Sequence, residues 1–182
     1  MVKSPGNHGE ANLASKNNPP GTDGVLAEFK KCGITHVVWL PDGEANFIHD
    51  ALDQAAGLKF VQVCREGEIL AIAAGLIIGG AEPIVMMQNT GFFESGDSTR
   101  SIALDLILPI VMLIGYRGWR HGQPMSDSAG QLLEPTLDAW GIPHYLIESE
   151  KGFPIISKAH EEAHRTSKPV AVLIGKGREW VP

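Results

Sequence analysis

Each thing the sequence has little of excludes a class of protein. Two cysteines, Cys32 and Cys64, are too few among 182 residues for a disulfide framework. Both lie in apolar stretches and are expected to be buried small hydrophobes in a reducing compartment, which points to the cytoplasm. Lysine and arginine number 15 against 21 aspartates and glutamates, a net charge of −6. The basic face required by nucleic acid or an anionic membrane surface is therefore missing. No apolar run reaches the roughly 18 residues of a membrane span, the longest apolar zone being 69–80. Several motifs are absent as well. The turn after the first expected strand reads Leu40-Pro41-Asp42-Gly43-Glu44, with a single glycine where a dinucleotide fingerprint would have three. There is no phosphate-binding P-loop and no G-x-S-x-G nucleophile elbow.

What is present suits one globular domain: 43% hydrophobic and 20% charged residues, in a length typical of a single core. Residues 1–22 hold few large apolar side chains among Pro, Gly, Asn and Ser, and are expected to form a flexible tail ahead of a domain over 23–182. From Asp23 onward, short β-branched runs alternate with helical spacings. Strands are expected at 35–40, 58–64, 83–87, 109–115, 144–147 and 170–175, and helices at 23–31, 44–56, 66–80, 97–108, 130–140 and 154–165. A polar loop is expected over 88–96. Such alternation, with strands apolar on both faces, predicts an α/β fold: a single doubly wound, mostly parallel six-stranded sheet with helices on both faces. Ligands in such sheets sit beyond the carboxyl ends of the strands. That directs attention to Asp42–Ala45, Arg65–Glu68, Gln88–Ser95, Tyr116–His121 and the segment after Gly175.

One match to a metal motif occurs elsewhere. His160-Glu161-Glu162-Ala163-His164 has the H-E-x-x-H spacing that puts two imidazoles on one helix face for Zn²⁺, with Glu161 as base. Its neighbours Ser157, Lys158, Arg165 and Lys168 belong to a solvated face, and after it stand no further His and only Glu179 as a carboxylate. The expectation is an exposed helix without metal, and a zinc hydrolase is kept as the lesser alternative.

The third helix, after Glu68, is apolar all round, with Gly75 and Gly79 removing side chains from one stripe. It is expected to be buried between the sheet and something else, as at a subunit interface. Glu66 opens it at the carboxyl edge of the sheet, where it could merely complement the helix dipole. Arg117, Arg120 and His121 form a cationic cluster at another strand end, suited to an anionic group on a substrate. Asp42 could touch substrate at the first.

Three motifs at successive strand ends carry a resemblance. Arg65-Glu66-Gly67-Glu68 with Ala71-Ile72-Ala73-Ala74-Gly75, then Met86-Met87-Gln88-Asn89-Thr90-Gly91, then Ile114-Gly115-Tyr116-Arg117-Gly118-Trp119 resemble the pyrimidine-binding domain of thiamine-diphosphate enzymes. Within that group the likeness runs to sulfopyruvate and phosphonopyruvate decarboxylases, over about residues 24–176. The resemblance implies that Glu66 is the catalytic glutamate that hydrogen-bonds N1′ of the aminopyrimidine, and that Gln88, Asn89 and Gly91 line the cofactor, with Asn89 also near substrate. It implies a small 2-oxo acid substrate bearing a sulfonate or phosphonate.

The family's Gly-Asp-Gly motif and following Asn, which hold the diphosphate and Mg²⁺, have no counterpart here: Gly96-Asp97-Ser98 precedes a helix, and no Asn follows Asn89. The implied partner is a beta subunit that binds the diphosphate and Mg²⁺, in a hetero-oligomer formed by α-α or α-β contact through helix 66–80. A non-catalytic α/β scaffold is the other alternative.

Overall fold

The computed structural model describes residues 21–175. Most of the tail expectation, residues 1–20, and Glu179 lie outside that range. Thr22 is inside it, fully buried, its hydroxyl donating to the Phe47 carbonyl at 3.4 Å.

Six strands form one sheet: β1 His36–Trp39, β2 Lys59–Gln62, β3 Pro83–Gln88, β4 Val111–Gly115, β5 His144–Ile147 and β6 Val170–Ile174. They lie in the order β2-β1-β3-β4-β6-β5, and every pairing is parallel. All six carboxyl ends therefore share one edge. Alternation along the strands divides the core into two layers. Val37, Trp39, Ile84, Met86, Val111, Leu113, Val170 and Val172 face helices α1 (Thr22–Lys31), α2 (His49–Gln54) and α7 (Pro154–Thr166). Val38, Val85, Met87, Met112, Ile114, Ala171 and Leu173 face α3 (Ile69–Ile78), α4 (Asn89–Glu94) and α6 (Ser128–Ala139). The central strands β3, β4 and β6 are buried on both faces, while the edge strands β2 and β5 are half-exposed.

Local chemistry explains where elements depart from the sequence pattern. The helix expected from Glu44 starts late, as a 3₁₀ turn over Asn46–Ile48 followed by α2. The Asp42 carboxylate accepts the backbone N–H groups of Glu44 (2.7 Å) and Ala45 (3.1 Å), and this turn competes with helix. The loop expected at 88–96 is mostly helix α4, held down by the fully buried Phe92. Asn89 Oδ1 accepts the Thr90 N–H in its first turn.

The single helix expected over 97–108 is instead a short α5 (Gly96–Ser98) and a wide π turn over Thr99–Leu104. Here Ser98 and Ser101 hydroxyls donate to the carbonyls of Ser95 and Asp97, loosening the ladder. Cys64 is exposed rather than buried, because it lies past the end of an edge strand, and Cys32 is half-buried. Helix α3 is only partly covered: Ile69, Leu70, Ala73 and Ala74 are buried, whereas Ala71, Gly75 and Ile78 face outward. Helix α7 is less solvated than its composition suggests, since Ser157 is buried against α1 and its hydroxyl donates to Glu28.

Candidate active site

At the carboxyl edge, the chain leaving β2 makes a 3₁₀ turn over Glu66–Glu68 that leads into α3. Glu66 is half-buried and its side chain lies across Gly91, in the first turn of α4. A Cβ on Gly91 would come within 2.5 Å of Glu66 Cγ and 2.6 Å of its Oε1. Only glycine lets the carboxyl group approach this backbone. Sequence reading singled out both residues, and the fold brings them into contact.

It missed the residue that steadies them. Glu94, at the end of α4, pairs with Arg65 Nε through one oxygen and accepts the Gly67 N–H through the other. The residues on either side of Glu66 are thus tied to the same helix that carries Gly91. A single acid following two phenylalanines gives no periodic or motif signal, so nothing in the sequence marked it.

The other named residues are placed at the same edge, but most have internal work. Asn89 is completely buried, and its Nδ2 donates to the Arg117 carbonyl at 2.9 Å. Its amide therefore joins the end of β3 to the loop after β4. Gln88 accepts the Thr90 hydroxyl at 2.8 Å. Asp42 accepts the Trp39 indole N–H at 3.1 Å in addition to the two backbone groups of its turn. Both its oxygens thus hold the turn after β1. That turn reaches the end of β4, where a Cβ on Gly115 would lie 2.8 Å from Glu44 Cβ.

In the cationic loop, Arg117 pairs with Asp127 at 3.2 Å, and Asp127 also caps α6 through the Gly130 N–H. His121 meets Glu148, just beyond β5, at 3.0 Å. Arg120 is exposed, and no carboxylate among the described residues forms an ion pair with it. Trp119 anchors the loop by packing on Gly175, where a Cβ would fall 2.5 Å from its ring. Tyr116 points inward and donates to Glu134 at 2.8 Å. Burial, then the Glu134 hydrogen bond, pushes its phenol well above the usual range, keeping it a proton donor.

His160 and His164 lie elsewhere. They approach Glu82, immediately before β3, at the opposite, amino edge of the sheet. The carboxylate companion absent downstream of the motif is thus supplied from upstream.

In fold and in sequence the chain resembles the pyrimidine-binding domain of thiamine-diphosphate enzymes. The particular relatives are decarboxylase subunits. Sulfopyruvate decarboxylase subunit alpha of Methanothermobacter thermautotrophicus is 28% identical over 158 residues, covering 84% of this chain and 94% of the relative. The same-named subunit of Methanocaldococcus jannaschii is 24% identical over 155 residues, covering 84% and 92%. Among solved structures, benzoylformate decarboxylase from Polynucleobacter necessarius superposes with a TM-score of 0.70 at 18% identity, over 86% of this chain. This chain spans only 30% of that structure's chain, and the likeness is one of fold. No protein-family model matches the sequence.

Proposed function

We propose that this chain is the alpha, pyrimidine-binding subunit of a thiamine-diphosphate-dependent 2-oxo acid decarboxylase. In this reading its substrate is a small anionic 2-oxo acid such as sulfopyruvate or phosphonopyruvate, and it acts with a beta subunit that binds the diphosphate and Mg²⁺. The observation that carries the proposal is the Glu66 carboxyl group seated on Gly91 at the carboxyl edge. It belongs to a chain aligned along most of its length with sulfopyruvate decarboxylase alpha subunits.

The residues fit the cofactor's pyrimidine side. A half-buried carboxyl group, the partner an aminopyrimidine ring nitrogen would need, is seated closely on the Gly91 backbone at the carboxyl edge. When bound, thiamine diphosphate supplies the carbon nucleophile and electron sink that decarboxylation needs. Glu66 shares a proton with N1′ of the aminopyrimidine through a carboxylate oxygen. Glu94 steadies the turn that carries Glu66 by tying down Arg65 and Gly67. Asn89 spends its amide on the Arg117 carbonyl and so orients the loop after β4. Arg120 offers its guanidinium to the sulfonate or phosphonate, a planar fork matched to tetrahedral oxyanions. Gln88, Asp42, Arg117 and His121 complete the rim.

The partner docks on the layer that contains α3. Among the described residues, the large apolar side chains left exposed, Ile78, Phe93, Leu106, Ile107 and Leu132, all belong to that layer or to the loop beside it.

The test is a titration of thiamine diphosphate and Mg²⁺ into this chain, alone and mixed with a candidate beta subunit, followed by CO₂ release from sulfopyruvate, phosphonopyruvate and simple 2-oxo acids. Binding and turnover are expected only in the mixture. Glu66→Gln in that mixture is expected to keep part of the cofactor binding and to lose at least about 100-fold in kcat. Near-normal turnover by this variant overturns the assignment of Glu66.

A further inference from the structure

We propose that Glu82, His160 and His164 form a Zn²⁺ site that clamps the second half of α7 to the start of β3. The four-residue spacing of the histidines sets both imidazoles on one face of α7. Their Nε2 atoms converge on a single oxygen, Glu82 Oε1, at 3.0 Å from His160 and 2.8 Å from His164. The rings lie 4.4 Å apart, and the three donor atoms are all within 4.8 Å of one another. A tetrahedral Zn²⁺ with bonds of about 2.0–2.1 Å sets its ligand atoms about 3.3 Å apart. The two Nε2–Oε1 distances lie within about half an ångström of that spacing.

The carboxylate is presented from a fixed base. The Glu82 N–H donates to Thr35 Oγ1 at 2.9 Å, and its carbonyl accepts from the Thr35 N–H at 2.8 Å and the Thr35 hydroxyl at 3.2 Å. Exposure rises across the group: the side chains of His160, Glu82 and His164 are 18%, 30% and 41% accessible. Two imidazoles and one carboxylate therefore surround the ion on its protein side and leave a fourth position open to water. Nitrogen-rich donors of this kind suit Zn²⁺, whereas Ca²⁺ and Mg²⁺ take all-oxygen sets.

The role is structural. The donors come from two separate elements that the ion would join, and the site lies at the amino edge, across the sheet from Glu66. Because the unfolded chain cannot assemble donors from β3 and α7, binding adds to folding stability.

The test uses the full chain, freed of any histidine tag and metal. Zn²⁺ is titrated in competition with a chromophoric chelator, and thermal unfolding is followed with and without the ion. One equivalent per chain and a rise in Tm that excess chelator reverses are expected. His164→Ala, at a partly exposed helix position where alanine is well tolerated, is expected to fold normally by circular dichroism and to weaken Zn²⁺ binding at least about 100-fold. Glu82→Gln is expected to weaken it in the same direction. Binding by His160→Ala/His164→Ala equal to that of the parent, or no saturable Zn²⁺ binding by the parent, overturns the site. Either result leaves Glu82 as a simple hydrogen-bond acceptor for the two rings.

Discussion

Gly91 is the residue where sequence, geometry and chemistry meet most tightly. Adding one methyl group there places a carbon where Glu66 Cγ and Oε1 now stand. Gly91→Ala is expected to displace the carboxyl group and to cost about as much activity in the reconstituted enzyme as Glu66→Gln, at least about 100-fold. Thermal stability of the isolated chain should change little, because Glu66 is only half-buried and can swing outward. Equal rates for Gly91→Ala and parent would separate Glu66 from the chemistry. Glu94 acts one step removed, through Arg65 and Gly67. Glu94→Ala is expected to lower kcat about 10-fold with an unchanged KM for the 2-oxo acid, and Glu94→Gln to recover part of the loss. A parallel rise in KM would instead mean that the loop had simply come apart.

At the scale of elements, six strands and most of the helices between them were legible, because alternating apolar patterns match the parallel sheet and its two covering layers. Departures fell where side chains competed with the backbone for its hydrogen bonds. Asp42 delayed α2, and the hydroxyls of Ser98 and Ser101 turned a regular helix into α5 and a π turn. The turn-forming run Gln88-Asn89-Thr90-Gly91 concealed α4, which is fixed by long-range burial of Phe92. Glu66, Gly91 and the loop arginines carried motif signals. Glu94 and Glu82 carried none, because what they do depends on distant partners: 27 residues separate Glu94 from Gly67, and 78 separate Glu82 from His160. The joint between β6 and the loop after β4 allows a test at this scale. Gly175→Ala drives a methyl group into the Trp119 ring. It is expected to destabilise the chain by about 1–3 kcal/mol in urea unfolding and to alter tryptophan fluorescence. No change in either would mean that the loop gives way without cost.

For the molecule as a whole, the two layers are finished to different degrees. The layer of α1, α2 and α7 leaves no large apolar side chain strongly exposed among the described residues, whereas the layer of α3, α4 and α6 leaves several. Ile78, 79% accessible, is the most exposed of them. Ile78→Lys is expected to leave the Tm of the isolated chain within about 2 °C, since a surface substitution changes stability by at most about 0.5 kcal/mol. The same change is expected to weaken association with the beta subunit, read by light scattering of the mixture. Unaltered assembly would place the docking surface elsewhere.

The strand order also governs how the chain reaches its fold. An all-parallel sheet contains no hairpin, and its register joins His36 to Pro83 and Val111 to Val170. Each pairing must close a long loop before any contact offsets the entropy lost. Folding is therefore slow for the chain's size, and unpaired strand edges together with the unfinished apolar layer stay open to other chains during the search. If the proposed beta subunit covers that layer, soluble yield of this chain is expected to rise when the two are expressed together.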